Sequence, residues 1–274
     1  MAEELKDFDE ELQSGKYLFK YCKFDVNALQ IIINKTLYFC SPDKLNDPLD
    51  SNFDIEITNP NNFKEKTRDN IKYSGFPLSE DVKLLLKDYG SVMGNVKSQK
   101  KLFEGYFKYM QNTFLGICSF STKIKDGNLL WSHYANEAKG LCLVFDKEKL
   151  VESLSQKLGL SYRILKGNID YDGIKPLLVK ITEDNDLEYS FSHLFSKTKH
   201  WSSEEEYRIV LEKYESSPFD FGFSMFYPFL KFDDSCLEFI IWGERILEEH
   251  SQLLLKLKDE HVFAAELLNH EFDR

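Results

Sequence analysis

No stretch of the chain approaches the roughly 18 consecutive apolar residues of a membrane helix, so no spanning helix and no membrane partner are expected. Its start, MAEELKDFDEELQSGK, is acidic and lacks the basic-then-apolar layout of a secretory leader. Cysteine is scarce and scattered, at Cys22, Cys40, Cys118, Cys142 and Cys236, with no CxxC pair. That argues against a disulfide framework or a Cys-rich zinc site and for reduced thiols in the cytoplasm. Phosphate-binding glycine loops are missing as well: neither GxxxxGK[ST] nor GxGxxG occurs, and GxSxG and HExxH are also absent. P-loop hydrolysis, ordinary Rossmann cofactor binding, serine hydrolysis and zinc proteolysis lose their support. Basic residues are in deficit, 35 against 46 acidic, for a net charge of −11. This excludes a uniformly basic nucleic-acid binder and leaves room for a local basic face. What remains is 274 residues with 42% hydrophobic and 15% aromatic content, enough for a sizeable core.

Local patterns predict a strand at Tyr17–Tyr21, a helix over Val26–Asn34 capped by Asp25, and a second strand ending before Ser41-Pro42. Residues 60–112 change character, with helical patterns around Val82–Asp88 and Gln99–Gln111 and ten Lys or Arg against six Asp or Glu. This stretch reads as a helical insertion with a basic face that could contact a nucleic-acid or protein partner. Apolar runs at 114–121, 140–146 and 237–243 fit buried strands. Further strands are predicted at 162–171, 205–211 and 262–267, and helices at 147–158, 181–196 and 244–257. Together these give an α+β fold in one domain, 1–274, with a mixed, bent and split β-core flanked by helices. Leu18, Ile117, Val144, Ile209 and Ile240 are expected in its core.

Three clusters carry chemistry. In Trp201-Ser-Ser-Glu-Glu-Glu-Tyr-Arg208, a strand entered at Glu204 would place Glu204, Glu206 and Arg208 on one face. Two carboxylates beside a guanidinium are costly to bury unless they pair or meet a ligand. A solvated edge with a local Glu–Arg pair is the plainer reading. The second cluster is Ser119-Phe-Ser121 at a strand end, followed by Trp131, His133 and Tyr134. Hydroxyls there suit ribose or phosphate oxygens and the rings suit a flat base; Trp131 as core packing is the alternative. The third is Asn46, Asp47 and Asp50 around Pro48, an Asx-type turn or a set of site residues.

In order, Leu18 to Tyr21, Leu45 to Asp50, Cys118 to Ser121, Leu130 to Asp146, Lys197 or Lys199 with Trp201 to Arg208, and Ile240 to Gly243 resemble a bacterial family of unknown function. That resemblance spans about residues 17–245 and departs from the pattern at 60–112. More distantly it resembles ADP-ribosyltransferase-like proteins, such as DarT-type DNA-modifying toxins and some abortive-infection proteins. The resemblance implies a split β-core with NAD in a cleft, in a phage-defence effector or toxin acting on nucleic acid or protein. It implies Glu206, with Glu204 second, as the catalytic carboxylate. Lys20 or Tyr21 would be the first-strand residue, where that fold usually has His or Arg, and Ser119 to Ser121 would form the hydroxyl-bearing strand. Lys199 and Arg208 would neutralise pyrophosphate, while Trp131 or Tyr134 stacks on a ring. Asn46, Asp47 and His133 complete the expected NAD contacts.

Two alternatives are expected to be separable from this. A metal-dependent nuclease would use Asp47, Asp50, Glu204 and Glu206 as ligands, with Lys199 on a phosphate. A sensor or interaction module would keep the fold and bind without turnover. Under the leading reading the clusters line one cleft, with Glu206 and Arg208 paired when no ligand is present.

Overall fold

The computed structural model describes residues 11–47, 50–74, 78–124, 129–159, 162–213 and 228–269. Pro48 and Leu49 of the Leu45–Asp50 segment lie outside the described residues, as do residues 1–10 of the polar lead-in. Strand β1 (Tyr17–Cys22) leads to α1 (Val26–Asn34) and β2 (Thr36–Tyr38). Asp25 starts α1 by accepting from the amides of Asn27 and Ala28. Lys35 ends it in the left-handed region at φ 52° and donates through Nζ to the Val262 carbonyl at 3.0 Å.

After β3 (Ile55–Thr58) come the helices α2 (Glu65–Lys72), α3 (Glu80–Lys87), the single turn α4 (Tyr89–Val92) and the long α5 (Val96–Phe114). Then follow β4 (Leu115–Ser121), α6 (Leu129–His133), β5 (Leu141–Asp146), α7 (Lys147–Lys157), β6 (Tyr162–Asn168), β7 (Leu177–Ile181) and β8 (Leu187–Ser190). The chain continues with β9 (Glu206–Lys213), β10 (Phe229–Lys231), β11 (Leu237–Trp242), α8 (Glu248–Asp259) and β12 (Glu266–Asn269). Among the described residues no helix is long and apolar enough to cross a membrane.

Seven strands form one mixed sheet in the order β12-β11-β5-β1-β4-β9-β6, antiparallel throughout except for β11 beside β12. Both β5 and β9 are buried along their whole length; for β5 this is the state that a continuous apolar run favours, whereas β9 also takes Glu206, Arg208 and Glu212 inside. Leu18, Ile117, Val144, Ile209 and Ile240 are all buried. One side of the sheet packs on α1, α7 and α8 through Ile32, Leu143, Leu154 and Leu254; Tyr17, Phe19, Val144 and Trp131 belong to a separate cluster.

The stretch 60–112 is helical over most of its described length. Leu102, Phe103 and Phe107 of α5 join Ile55, Leu177, Val179 and Val210 in a further core, so the insertion rests on the small sheet β3-β7-β8 as well as on β9. The opposite face of α5 exposes Lys97, Lys100, Lys101 and Lys108, with Glu104 among them.

One predicted element is wrong. The helix expected over 181–196 is the end of β7, then β8 and a 3-10 turn at Ser192–Phe195. Leu187, Tyr189 and Phe191 recur every second residue and pack on the α5 core, which is a strand period and not a helical one. Asn185, at φ 66°, makes the hairpin turn.

The sheet parts in its middle. β1 pairs with β5 through six residues, while its ladder pairing with β4 is limited to Phe19 opposite Ser121. Below that point β4 takes a different neighbour: Cys40 and Ile117 exchange backbone hydrogen bonds at 3.0 and 2.7 Å. The gap between these two contacts opens the cavity described next.

A tight turn follows α6 and packs against the end of β11. Asn136, Glu137 and Ala138 are successive left-handed residues, at φ 51°, 57° and 63°. Such a run is costly without glycine and persists only when its surroundings dictate it. Here Gly243 lies so close that a Cβ on it would sit 2.1 Å from the Ala138 carbonyl oxygen. Gly243→Ala is therefore expected to lower the unfolding free energy by about 1–3 kcal/mol, measured by urea denaturation. A variant as stable as the parent would show that the turn is not wedged against β11.

Candidate functional site

A cavity of about 280 Å³ occupies the split. The register of β4 on β9 sets Ser119 opposite Arg208 and Ser121 opposite Glu206. Across the gap β1 supplies Lys20 and Tyr21, and the segment after β2 supplies Lys44, Asn46, Asp47 and Asp50. Tyr134 enters from the turn after α6, and Lys197, Trp201 and Glu204 from the irregular segment before β9.

Its floor is a buried charge cluster. The Arg208 guanidinium, fully buried, donates through Nε to Glu206 Oε1 at 2.6 Å and through Nη2 to Asp50 Oδ2 at 2.5 Å. Its Nη1 donates to the Leu194 carbonyl at 2.8 Å. Lys197 Nζ lies 2.6 Å from Glu206 Oε2, 2.9 Å from Glu204 Oε2 and 3.4 Å from Asp50 Oδ2. Glu204 also accepts from the Tyr134 hydroxyl, and the Glu206 amide donates to Tyr171 Oη at 2.8 Å. Three carboxylates thus meet two cations, leaving the cluster one charge negative.

Burial alone would raise the Glu206 carboxyl, but Arg208 and then Lys197 outweigh it and hold its pKa down at about 2. Glu206 is ionised at any physiological pH. The thiols on the wall are not: burial pushes Cys40 up to about 11 and raises Cys118 as well, so neither offers a thiolate nucleophile.

The strand expected over 205–211 begins at Glu206, so Glu204 lies outside it. Glu204 reaches the cluster by another route. Glu205 adopts a left-handed conformation at φ 42° and is held by Thr122, whose amide and hydroxyl both donate to its carbonyl. That reversal lets Glu204 and Glu206 meet the same ammonium.

Ten of the expected site residues line the cavity: Lys20, Tyr21, Asn46, Asp47, Ser119, Ser121, Tyr134, Glu204, Glu206 and Arg208. Trp131, His133 and Lys199 are not among its lining residues. Trp131 is buried in the core with its ring edge-on to Tyr21 at 5.2 Å, while His133 and Lys199 are exposed. The pyrophosphate role expected of Arg208 does not suit a guanidinium already engaged by two carboxylates and a carbonyl.

Lys197 is the residue that sequence reading undervalued. Its chain neighbour two places on has the same side chain, and only the fold shows which of the two is buried. Its ammonium also lies 5.4 Å from the centre of the Trp201 ring. The nuclease alternative loses its ligands here, because Lys197 Nζ occupies the point on which Asp50, Glu204 and Glu206 converge. Among the described residues no group of three such side chains is arranged to hold a metal ion.

Residues 130–209 match a family described as "Protein of unknown function (DUF2971)". That segment carries Tyr134, Lys197, Glu204, Glu206 and Arg208, which is most of the buried charge cluster, while its third carboxylate, Asp50, lies outside it. No curated protein and no solved structure matches the chain.

Proposed function

We propose that the protein is an ADP-ribosyltransferase-like enzyme that uses NAD as substrate, with a nucleic-acid or protein acceptor. One observation carries this reading: a buried carboxylate, Glu206, kept ionised by Arg208 and Lys197 at the floor of a cavity in a split sheet. A carboxylate with so low a pKa is a poor general base, since proton transfer at neutral pH wants a pKa near 7. It is well suited to be a fixed negative charge. When the bond between ribose C1 and the nicotinamide nitrogen breaks, its electron pair leaves with nicotinamide and positive charge grows on the ribose. A preorganised carboxylate lowers that barrier, and the acceptor then bonds to C1 and releases its proton.

The cavity volume lies just below the roughly 300–1,000 Å³ that encloses drug-sized ligands. It suits the nicotinamide–ribose half of NAD, with Tyr21, Tyr134 and Trp201 as ring partners. Incubation with labelled NAD and cell extract is expected to release nicotinamide and transfer label. In Glu206→Gln the rate is expected to fall by about 10²–10³. Equal rates in a folded Glu206→Gln protein would remove the reading.

A second reading, a module that binds without turnover, is favoured by one feature. Arg208 and Lys197 are already engaged by groups of the protein itself, so the cluster holds together without a ligand. Its signature is binding of ADP-ribose with NAD left intact, unaffected by Glu206→Gln.

A further inference from the structure

Four cations line the cavity and they fall into two kinds. Lys197 and Arg208 lie among Asp50, Glu204 and Glu206. Lys20 and Lys44 have no carboxylate within ion-pair distance among the described residues. Lys20 is half-buried where β1 leaves β4, and its contacts are all with neutral groups. Nζ donates to the Ser119 carbonyl at 3.2 Å and to Cys118 Sγ at 3.5 Å, and lies 5.2 Å from the centre of the Phe120 ring. An ammonium drawn partly out of water and met only by neutral groups lacks the stabilisation that an anion supplies. Lys44, exposed at the end of the 3-10 turn Pro42–Lys44, adds a second cation to the lining. Among the described residues, Asp47 is the one acid of the lining outside the Arg208–Lys197 cluster. The cavity therefore has one group of side chains with excess negative charge, around Glu206, and another with excess positive charge.

We infer that Lys20 and Lys44 form an anion subsite for a phosphate group, so that the cavity takes a phosphorylated ribosyl compound, phosphate toward the lysines and ribose toward Glu206. The phosphate half stands on the lysines alone, while the ribosyl half rests on the function proposed above.

The test is calorimetric titration of the full chain at low salt with three probes: inorganic pyrophosphate, ADP-ribose and unphosphorylated nicotinamide riboside. Both phosphorylated probes are expected to bind, with affinity falling as salt rises, and nicotinamide riboside to bind at least tenfold more weakly than ADP-ribose. Lys44→Ala and Lys20→Met are each expected to weaken ADP-ribose binding about tenfold. Lys256→Ala, on the exposed face of α8, should leave it unchanged. Because Lys44 is exposed, its removal tests the subsite even where Lys20→Met fails to fold. No binding of either phosphorylated probe, or affinity unmoved in Lys44→Ala, overturns the subsite. Equal affinity for pyrophosphate and ADP-ribose assigns it to free phosphate and overturns the ribosyl half. The two proposals fail separately: intact NAD with lysine-dependent ADP-ribose binding removes the transferase alone. NAD cleavage whose KM is unmoved in Lys44→Ala removes the subsite alone.

Discussion

Arg208→Met is expected to lower the unfolding free energy by about 3–5 kcal/mol, the cost of breaking a buried ion pair from one side. The substitution keeps most of the volume and removes the charge. Glu206 and Asp50 are then left with Lys197 as their only cation within ion-pair distance among the described residues, and the Leu194 carbonyl loses its donor. Arg208→Lys is expected to recover part of the loss. Its charge is right, but one ammonium does not reproduce a planar fork that reaches Glu206, Asp50 and a carbonyl in different directions. Urea denaturation followed by circular dichroism gives both values. A loss below about 1 kcal/mol in Arg208→Met would mean that the cluster is solvated and that the burial argument for an ionised Glu206 is wrong.

Stability is expected to fall steeply on acidification, in two stages. His193 is fully buried; Nε2 lies 2.9 Å from Gln111 Oε1, and Nδ1 has no hydrogen-bond partner among the described residues. The Gln111 amide nitrogen is committed to the Ser51 carbonyl, so Gln111 presents its oxygen and His193 donates as a neutral ring. Burial, with Arg208 nearby adding to it, pushes the His193 pKa from 6.5 down to about 3. The unfolded chain therefore binds a proton below pH 6.5 that the folded chain refuses until about pH 3. Stability falls by up to about 1.4 kcal/mol per pH unit across that window. Glu206 adds a second proton of difference below its ordinary 4.5, down to about 2. These two groups thus contribute one proton to the slope between pH 6.5 and 4.5, two from there to about 3, and one between about 3 and 2. Denaturation midpoints at pH 7.5, 6.5, 5.5 and 4.5 check this against His193→Gln, whose upper stage should be flatter. Parallel curves for the two proteins would refute a buried neutral His193.

Where the pattern was dense, sequence and structure agree. Residues 140–146 are apolar enough to be a strand buried on both faces, the strand expected at 205–211 forms at 206–213, and Asp25 caps its helix as its sequence context marks. The 187–196 segment failed because a few large apolar residues satisfy both periods; packing on α5, fifty or more residues earlier in the chain, decided between them. The candidate site divides in the same way. Ser119, Ser121, Glu206 and Arg208 share a face because two adjacent strands in register bring them there, a consequence of local alternation.

By itself the sequence determined the strands, most helices and the carboxylate-rich entry to β9, because these depend on side-chain periodicity and on caps a few residues away. Only the tertiary structure decided that β1 and β4 part after Phe19, that Lys197 and not Lys199 is buried, and that Trp131 belongs to the core. It alone joined Asp50 to Arg208 across 158 positions. The physical reason is that such choices rest on burial and on charge compensation between distant segments. A residue's cost in the interior is set by the partner that meets it there, and local pattern carries no record of that partner.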